Sequence, residues 1–428
     1  MRFRTGIVAL AAAGLMLTAC SSNDNGGDPA EIASPSADAS GNLKVWLMDG
    51  SQTQTVIDAV NAEFTKQFPN VTVDVLLQQW DGINDQLTTS LGSDSTPDVV
   101  EIGNSLTAKY ADAGLLADLS GEVNEFGVAN MLPGLQPSGE LDGVRYGIPY
   151  YGGVRIVVYK KSDFEKAKVQ VPTSLAELEA VAGKLQQSNS ENKKYSAFYF
   201  PGLYWSGAVP FVWTHGGDIA TQADDGNWTG TLNSAQSIAG LTQLKGLVDK
   251  YSKAPKDGDE TKNVDAFNTG NVGMMIDSWW VPGALDSGKL KGDIGVFALP
   301  GVEAETTAPV LFDGRDLAVS KKSKNQGLAV AWMKILTGLE IQTLLAKEVG
   351  NIPNQEGAFV GHKGNPFLDV ADQASTNSRF SPVSPNWANV ESSAVLPTML
   401  MKILTDAQTV EQATTAASDQ ITTTLNGG

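Results

Sequence analysis

The sequence predicts an α/β protein of two domains. Strand-like and helix-like segments alternate closely between residues 43 and 103, and a second such set runs from about 155 to 310. The chain has 428 residues, 42% of them hydrophobic, which is enough for two cores.

The N-terminus, MRFRTGIVALAAAGLMLTAC, places Arg2 and Arg4 before a short apolar run at 5–17 and small residues before Cys20. That order reads as a cleavable export signal over residues 1–19, too short to span a bilayer. Leu17-Thr18-Ala19-Cys20 resembles the bacterial lipobox, which implies cleavage before Cys20 and a lipid on its sulfur. Cys20 is the only cysteine, so a disulfide scaffold and cysteine-rich metal sites are excluded. The formal charge of −18 becomes −20 once the two arginines are lost, and an acidic surface disfavours nucleic acid and anionic lipid. Residues 20–41, rich in Ser, Gly, Pro, Asp and Ala, read as a lipidated, disordered tether, with folding expected from Asn42.

From there the elements follow in order. LKVWLM (43–48) has strand composition, and Val56, Val60, Phe64 and Phe68 form a helical stripe that Pro69 and Asn70 stop. VTVDVLLQ (71–78) is the next strand, a helix through Leu87 and Leu91 follows, and PDVVEIG (97–103) is the third strand. This spacing predicts a parallel sheet, in which ligands bind beyond the carboxyl ends of the strands. YGIPYYGGVRIVVYK (146–160) joins a Gly/Pro/Tyr turn to a β run, and Ser174 with Glu177 makes a capping box for the next helix. Residues 272–276 read as a strand ending near an aromatic pair, and 309–319 as another extended run. A helix carries Val330, Ala331, Trp332, Ile335 and Leu336, residues 351–386 read as irregular, and 390–425 as helical.

Taken together, the lipobox, KVWLMDGS, NAEFTKQFPNVTV, TPDVVEIGNSLTAKYADAGLLADLS, GVRYGIPYYGGVRIVVYKK, VPTSLAELEAVAGKL, AFNTGNVGMMIDSWW, DGRDLAVS and NIPN stand in a fixed order. In that order the chain resembles the carbohydrate-binding members of the family 1 extracellular solute-binding proteins, over essentially all of 42–427. The resemblance implies a two-lobe fold with discontinuous domains, a hinge, and a solute clamped in the cleft. Lobe 1 would take 42–150 with 312–350 and lobe 2 would take 151–311 with 351–428, with crossings near 149–155, 309–315 and 348–356. It further implies a monomer delivering its sugar to the transmembrane subunits of an ABC importer. Such a protein would be held at the outer face of the cytoplasmic membrane by lipid alone, with no cofactor and no metal.

A sugar site needs stacking aromatics and dense hydrogen-bonding groups. Trp80, flanked by Gln79 and Asp81 after a strand, suits a cleft wall or a helix-start core position. Trp279 and Trp280 follow Asp277; neighbours on a strand face opposite sides, and by family position Trp280 is the stacking residue. Trp387, among Asn386 and Asn389, is a further candidate, while Tyr204 and Trp205 match a lobe 2 segment or pack that lobe. Trp46, Trp213, Trp228 and Trp332 read as packing or surface. Asp49, Ser51, Asn104 and Ser105 either bond hydroxyls or cap helices. Tyr151 and Arg155 lie at the first crossing, Gly314, Arg315 and Asp316 at the second. Arg315 is set either to grip a ligand or to pair with Asp313 or Asp316.

Other functions fit less well. No G-x-S-x-G, H-E-x-x-H or P-loop occurs, and the two histidines, His215 and His362, are far apart and read as surface or turn residues. A polyamine would want a cation–π box, which Asp277 with the tryptophan pair supplies. Iron would want clustered phenolates, and Tyr150-Tyr151 is a poor pair because strand neighbours point apart. An adhesin would be β-rich or repetitive.

Overall fold

A computed structural model describes residues 32–427. The strands that matter are, in chain order, β1 (Ser40–Met48), β2 (Asn70–Gln78), β3 (Val99–Gly103), β4 (Gly147–Gly153), β5 (Arg155–Lys160), β6 (Ser196–Tyr199), β7 (Val272–Ser278), β8 (Ile294–Phe297), β9 (Val310–Leu311), β10 (Asp313–Val319), β11 (Ile352–Pro353) and β12 (Ser378–Arg379). Helices named below are α1 (Gln54–Gln67), α2 (Leu175–Ser188), α3 (Trp205–Thr214), α4 (Ala235–Tyr251), α5 (Gln326–Thr337), α6 (Leu339–Val349), α7 (Pro366–Ser375), α8 (Trp387–Ser392), α9 (Val395–Leu404) and α10 (Val410–Leu425).

Two sheets define two lobes. The first has six strands in the order β11-β4-β10-β3-β1-β2, and the second has four in the order β8-β5-β7-β6. β1 pairs in parallel with both β2 and β3, whereas β10 runs antiparallel to β3 and β4. The expected parallel sheet is therefore mixed. Its parallel part is the βαβ region, because a parallel pair needs a crossover, while the antiparallel strands return from distant sequence.

Helix patterning translates directly into packing. Val56, Val60 and Phe64 of α1 are fully buried against Trp332 and Met333 of α5 in the lobe 1 core. Ser174 caps α2 by accepting from the Glu177 N–H, and Leu175, Leu178 and Leu185 bury into lobe 2. Among the described residues no single helix is long and apolar enough to cross a membrane; the apolar helices α5 and α6 meet at a bend of 59° and line the lobe 1 core.

The chain passes from the first sheet to the second at Val154, between β4 and β5, and returns to the first at β10, just after Phe312 and the separate two-stranded β9–β12 ladder. The expected boundary after residue 150 thus falls inside β4. The third passage comes later than expected. β11 still pairs with β4, the 3₁₀ helix Glu356–His362 packs on α6, and only α7 reaches the second lobe. The stretch expected to be irregular therefore holds ordered helix: Asn365 caps the Phe367 N–H and Pro366 occupies the first turn of α7. His362 is no surface residue. It is buried with Nδ1 2.8 Å from Asp372 and Nε2 3.0 Å from the Asn351 carbonyl.

Two glycines shape the hinge. A Cβ on Gly152 would lie 1.9 Å from the Phe312 ring, and one on Gly153 would lie 1.8 Å from the Trp279 ring. Both rings lie flat on bare backbone beside Val154, Ile156 and Ile352, which form a small hinge core.

The N-terminal end also differs from expectation. β1 begins at Ser40 rather than Asn42, and Ile32 and Ala39 pack against the lobe 1 core. At Gly327 of α5 a Cβ would lie 2.3 Å from the Ala33 carbonyl, so the segment sits directly on the helix. The last part of the expected tether, 32–41, is thus docked or strand. Cys20 and the signal segment lie outside the described residues.

Candidate ligand-binding site

The lobe 1 wall is built where β1, β2 and β3 end and the antiparallel β10 begins. Trp80 follows β2 and is 45% exposed; its Nε1 donates to the Asp49 carbonyl at 3.0 Å. Gln79 reaches the Asp49 carboxylate at 3.4 Å. The Arg315 guanidinium lies over the Trp80 ring, 4.4 Å from its centroid, and its Nη1 donates to the Gly314 carbonyl at 2.7 Å. Arg315 makes no ion pair with Asp313 or Asp316, and its buried Nε has no partner. Beneath it, the buried Glu101 carboxylate accepts from the Met48 N–H at 2.9 Å, the Ser51 hydroxyl at 2.6 Å and the Tyr151 hydroxyl at 3.1 Å. Burial pushes its carboxyl up, and those donors with Arg315 oppose the shift. Ser51 caps no helix; it is a buried strut between Glu101 and Tyr151.

Tyr150 and Tyr151 were expected to point apart. Their rings stand edge to face with centroids 4.8 Å apart, because the β4–β10 register shifts opposite them. Burial raises both phenols, Tyr150 well above its usual value.

At the hinge, Arg155 is buried and ion-paired with Asp313. Asn104 is buried too, with an unpartnered Nδ2 that would sit 3.1 Å from a Cβ on Gly314. A side chain on Gly314 would also meet the Tyr151 carbonyl at 2.6 Å, so glycine there allows close packing.

The lobe 2 wall continues from Arg155. Tyr204 is buried beside it with its hydroxyl facing the Arg155 guanidinium. Asp277 accepts from the Ser278 N–H at 2.7 Å through Oδ1, and its carboxylate also faces the Asn263 side chain. Burial pushes the Asp277 carboxyl up to about 6, with the Ser278 N–H, Asn263 and Arg155 pulling the other way. Asn263 itself is buried. Next to this group, Trp280 stands 54% exposed. Trp279 turns inward onto Gly153, and its Nε1 donates to the Gly350 carbonyl at 3.0 Å.

Trp387 requires correction as a stacking candidate. It is 0% exposed, packed edge to face against Trp205 with centroids 6.4 Å apart, and its Nε1 faces the Glu391 carboxylate. Trp205 itself backs the lobe 2 core. The lobes touch where the Ser105 hydroxyl donates to the Glu391 carboxylate of α8 at 3.2 Å. Burial raises the Glu391 carboxyl against the effects of Trp387 and Ser105.

The structure thus gathers Asp49, Gln79, Trp80 and Arg315 on one wall and Tyr204, Asp277 and Trp280 on the other, with Asn104, Ser105 and Gly314 between. Sequence reading missed Asn263, Glu101 and Glu391. Glu101 had a signal, a charged residue inside an apolar strand; Asn263, on a short polar helix, had none.

A two-lobe fold with a polar cleft occurs in more than one family, and sequence decides between them. A profile of the bacterial extracellular solute-binding proteins matches residues 49–343. The chain belongs to that family. This solute-binding protein is 31% identical over 395 residues to the diacetylchitobiose-binding protein DasA of Streptomyces coelicolor, across 90% of each chain. A stretch of 128 residues, 29% of this chain and 28% of the relative, is 30% identical to an uncharacterized lipoprotein of Streptomyces antibioticus. Its fold is that of the sugar-binding protein MalE from Xanthomonas citri, at a TM-score of 0.79 and 18% identity, covering 90% of this chain and 98% of the other.

Proposed function

We propose that the protein binds a di- or oligosaccharide in the cleft between its lobes and hands it to the transmembrane subunits of an ABC importer. One observation carries this reading. Polar side chains of both lobes and the hinge, Asn104, Arg155, Tyr204, Asn263, Asp277 and Arg315, are buried or half-buried near the exposed Trp80 and Trp280, and Asn104 Nδ2 and Arg315 Nε have no protein partner. An unmet buried hydrogen bond costs about 1–3 kcal/mol, so a ligand that completes such groups is favoured. A sugar offers hydroxyls of both polarities to those atoms and an apolar face to Trp80 and Trp280. The similarity to DasA along 90% of each chain supports an N-acetylated disaccharide as the first sugar to try.

In this reading Trp80 and Trp280 stack on the ligand, and Asp49, Gln79, Asn104, Arg315, Tyr204 and Asp277 bond its hydroxyls. Ser51, Tyr151 and Gly314 position that wall, Ser105 closes it, and Trp205, Trp279 and Trp387 support the far side. The cleft's two arginines oppose a polyamine. The protein works as a monomer without chemistry on the sugar, and Cys20 carries a lipid that holds it at the outer face of the cytoplasmic membrane; the lipoprotein relative supports that anchor.

A thermal-shift screen tests the proposal, with diacetylchitobiose, maltose, longer oligosaccharides, polyamines and ferric iron as ligands. Sugar at a hundred times its dissociation constant adds about 2.7 kcal/mol of stability. A rise in melting midpoint with a sugar recovered unchanged supports the reading. A rise with polyamine or iron alone discards the carbohydrate, and cleavage of the sugar discards the binding protein.

A further inference from the structure

A further cavity lies elsewhere. It measures about 620 Å³, within the range of about 300–1,000 Å³ usual for small-molecule sites. Lobe 1 lines it with the Glu140–Arg145 hairpin and Gln136, and lobe 2 with the hairpin Ala220–Gln222/Trp228–Gly230 and residues 383–386. It shares no residue with the site above, yet it adjoins that site at both walls. Asn386 leads straight into Trp387 and α8, and the turn at Gln136–Gly139 packs against the turn at Asn104–Leu106.

We propose that this cavity is a second carbohydrate subsite, taking the far rings of an oligosaccharide whose first rings occupy the main cleft. The inference rests on the proposed function. Arg145 lines the cavity and is only 5% exposed. Its Nη1 is engaged with the Gln136 carbonyl and its Nη2 with Glu140, both at 2.8 Å. Glu140 neutralises the guanidinium and Asp142 adds a further carboxylate, so the cavity repels anions. Trp228, expected from sequence to be packing or surface, keeps part of its indole exposed and supplies an apolar wall. Gln222 and Asn386 add amides. An aromatic face, amides and a neutralised arginine suit an uncharged, hydroxyl-rich ring. Because both lobes line the cavity, rings held there also favour the closed form.

Calorimetry with chito- and malto-oligosaccharides of two to six rings tests this on the wild-type protein and on Trp228→Ala, Gln222→Ala and Trp280→Ala. Wild-type affinity should rise beyond the disaccharide. Trp228→Ala and Gln222→Ala should lose at least fivefold for the pentasaccharide and stay within twofold for the disaccharide, whereas Trp280→Ala should lose affinity at every length. Gln222 is exposed, so its variant keeps the test intact if Trp228→Ala melts early. Tight disaccharide binding with no gain in length, or equal effects of the Trp228 and Gln222 variants at all lengths, overturns the subsite alone. Failure of every sugar to bind the wild type overturns the oligosaccharide reading, and the subsite with it.

Discussion

Trp279 and Trp280 are neighbours with opposite duties, and mutation should separate them. Trp280→Ala removes an exposed ring; affinity for the bound sugar should fall at least tenfold while the melting midpoint stays within a degree or two. Trp279→Ala opens the hinge core and frees the Gly350 carbonyl, so it should lower stability by about 2–3 kcal/mol, read as a lower midpoint without ligand. Asp316 offers a second test. It is fully buried, accepts from Thr107 and Ser138 at 2.7 Å each, and burial pushes its carboxyl up to about 6. A carboxyl raised in the folded state binds more protons there than when unfolded, so its contribution is full at low pH and is lost as pH rises through about 6. Asp316→Asn should therefore flatten the decline in stability between pH 4 and 6, measured by denaturant titration at each pH. The sequence revealed exposed aromatics at strand ends because the strand pattern marked those ends. It did not reveal the burial of Trp387, since polar neighbours say nothing about what a helix packs against.

Among the elements, the hinge strand depends on missing side chains. Gly152→Ala should force Phe312 or the strand to move and lower stability by about 1–3 kcal/mol. Gly246→Ala, in the middle of α4 where a Cβ meets nothing, should raise it by about 0.4–1 kcal/mol. Opposite shifts in melting midpoint check the pair. Local periodicity made β1 to β3, α1 and α2 legible, and their ends fall within a few residues of the expected ones. Helix α7 was equally legible, through an Asn cap followed by Pro at the first turn, but went unread in an Asn/Pro-rich stretch. The placement of β4, β10 and β11 was not legible, since strands paired across some two hundred residues share no local pattern.

For the whole molecule, the question is how the lobes stay together. The Ser105–Glu391 bond joins them on the side of α8. Glu391→Ala should weaken sugar binding about two- to tenfold, the worth of one hydrogen bond, without changing which sugar binds. It should also widen the ligand-free molecule in small-angle scattering, with added sugar restoring compactness. A variant as tight and as compact as the wild type would remove this bond from closure. The two-lobe plan was readable from the order of motifs along the chain, whereas the depth of the cleft and the second cavity arise from lobe contacts that no single segment encodes.

The docked segment at 32–39 sets the length of the leash. With Cys20 held in lipid as proposed, eleven residues, 21–31, separate the anchor from Ile32, and fully stretched they reach about 40 Å. A protein of this size is itself roughly 50 Å across. The leash is shorter than what it holds, and it leaves from the back of lobe 1 beside α5 rather than from the cleft. Such a receptor patrols only the patch of membrane around its own anchor, and its search for an importer is a search in two dimensions.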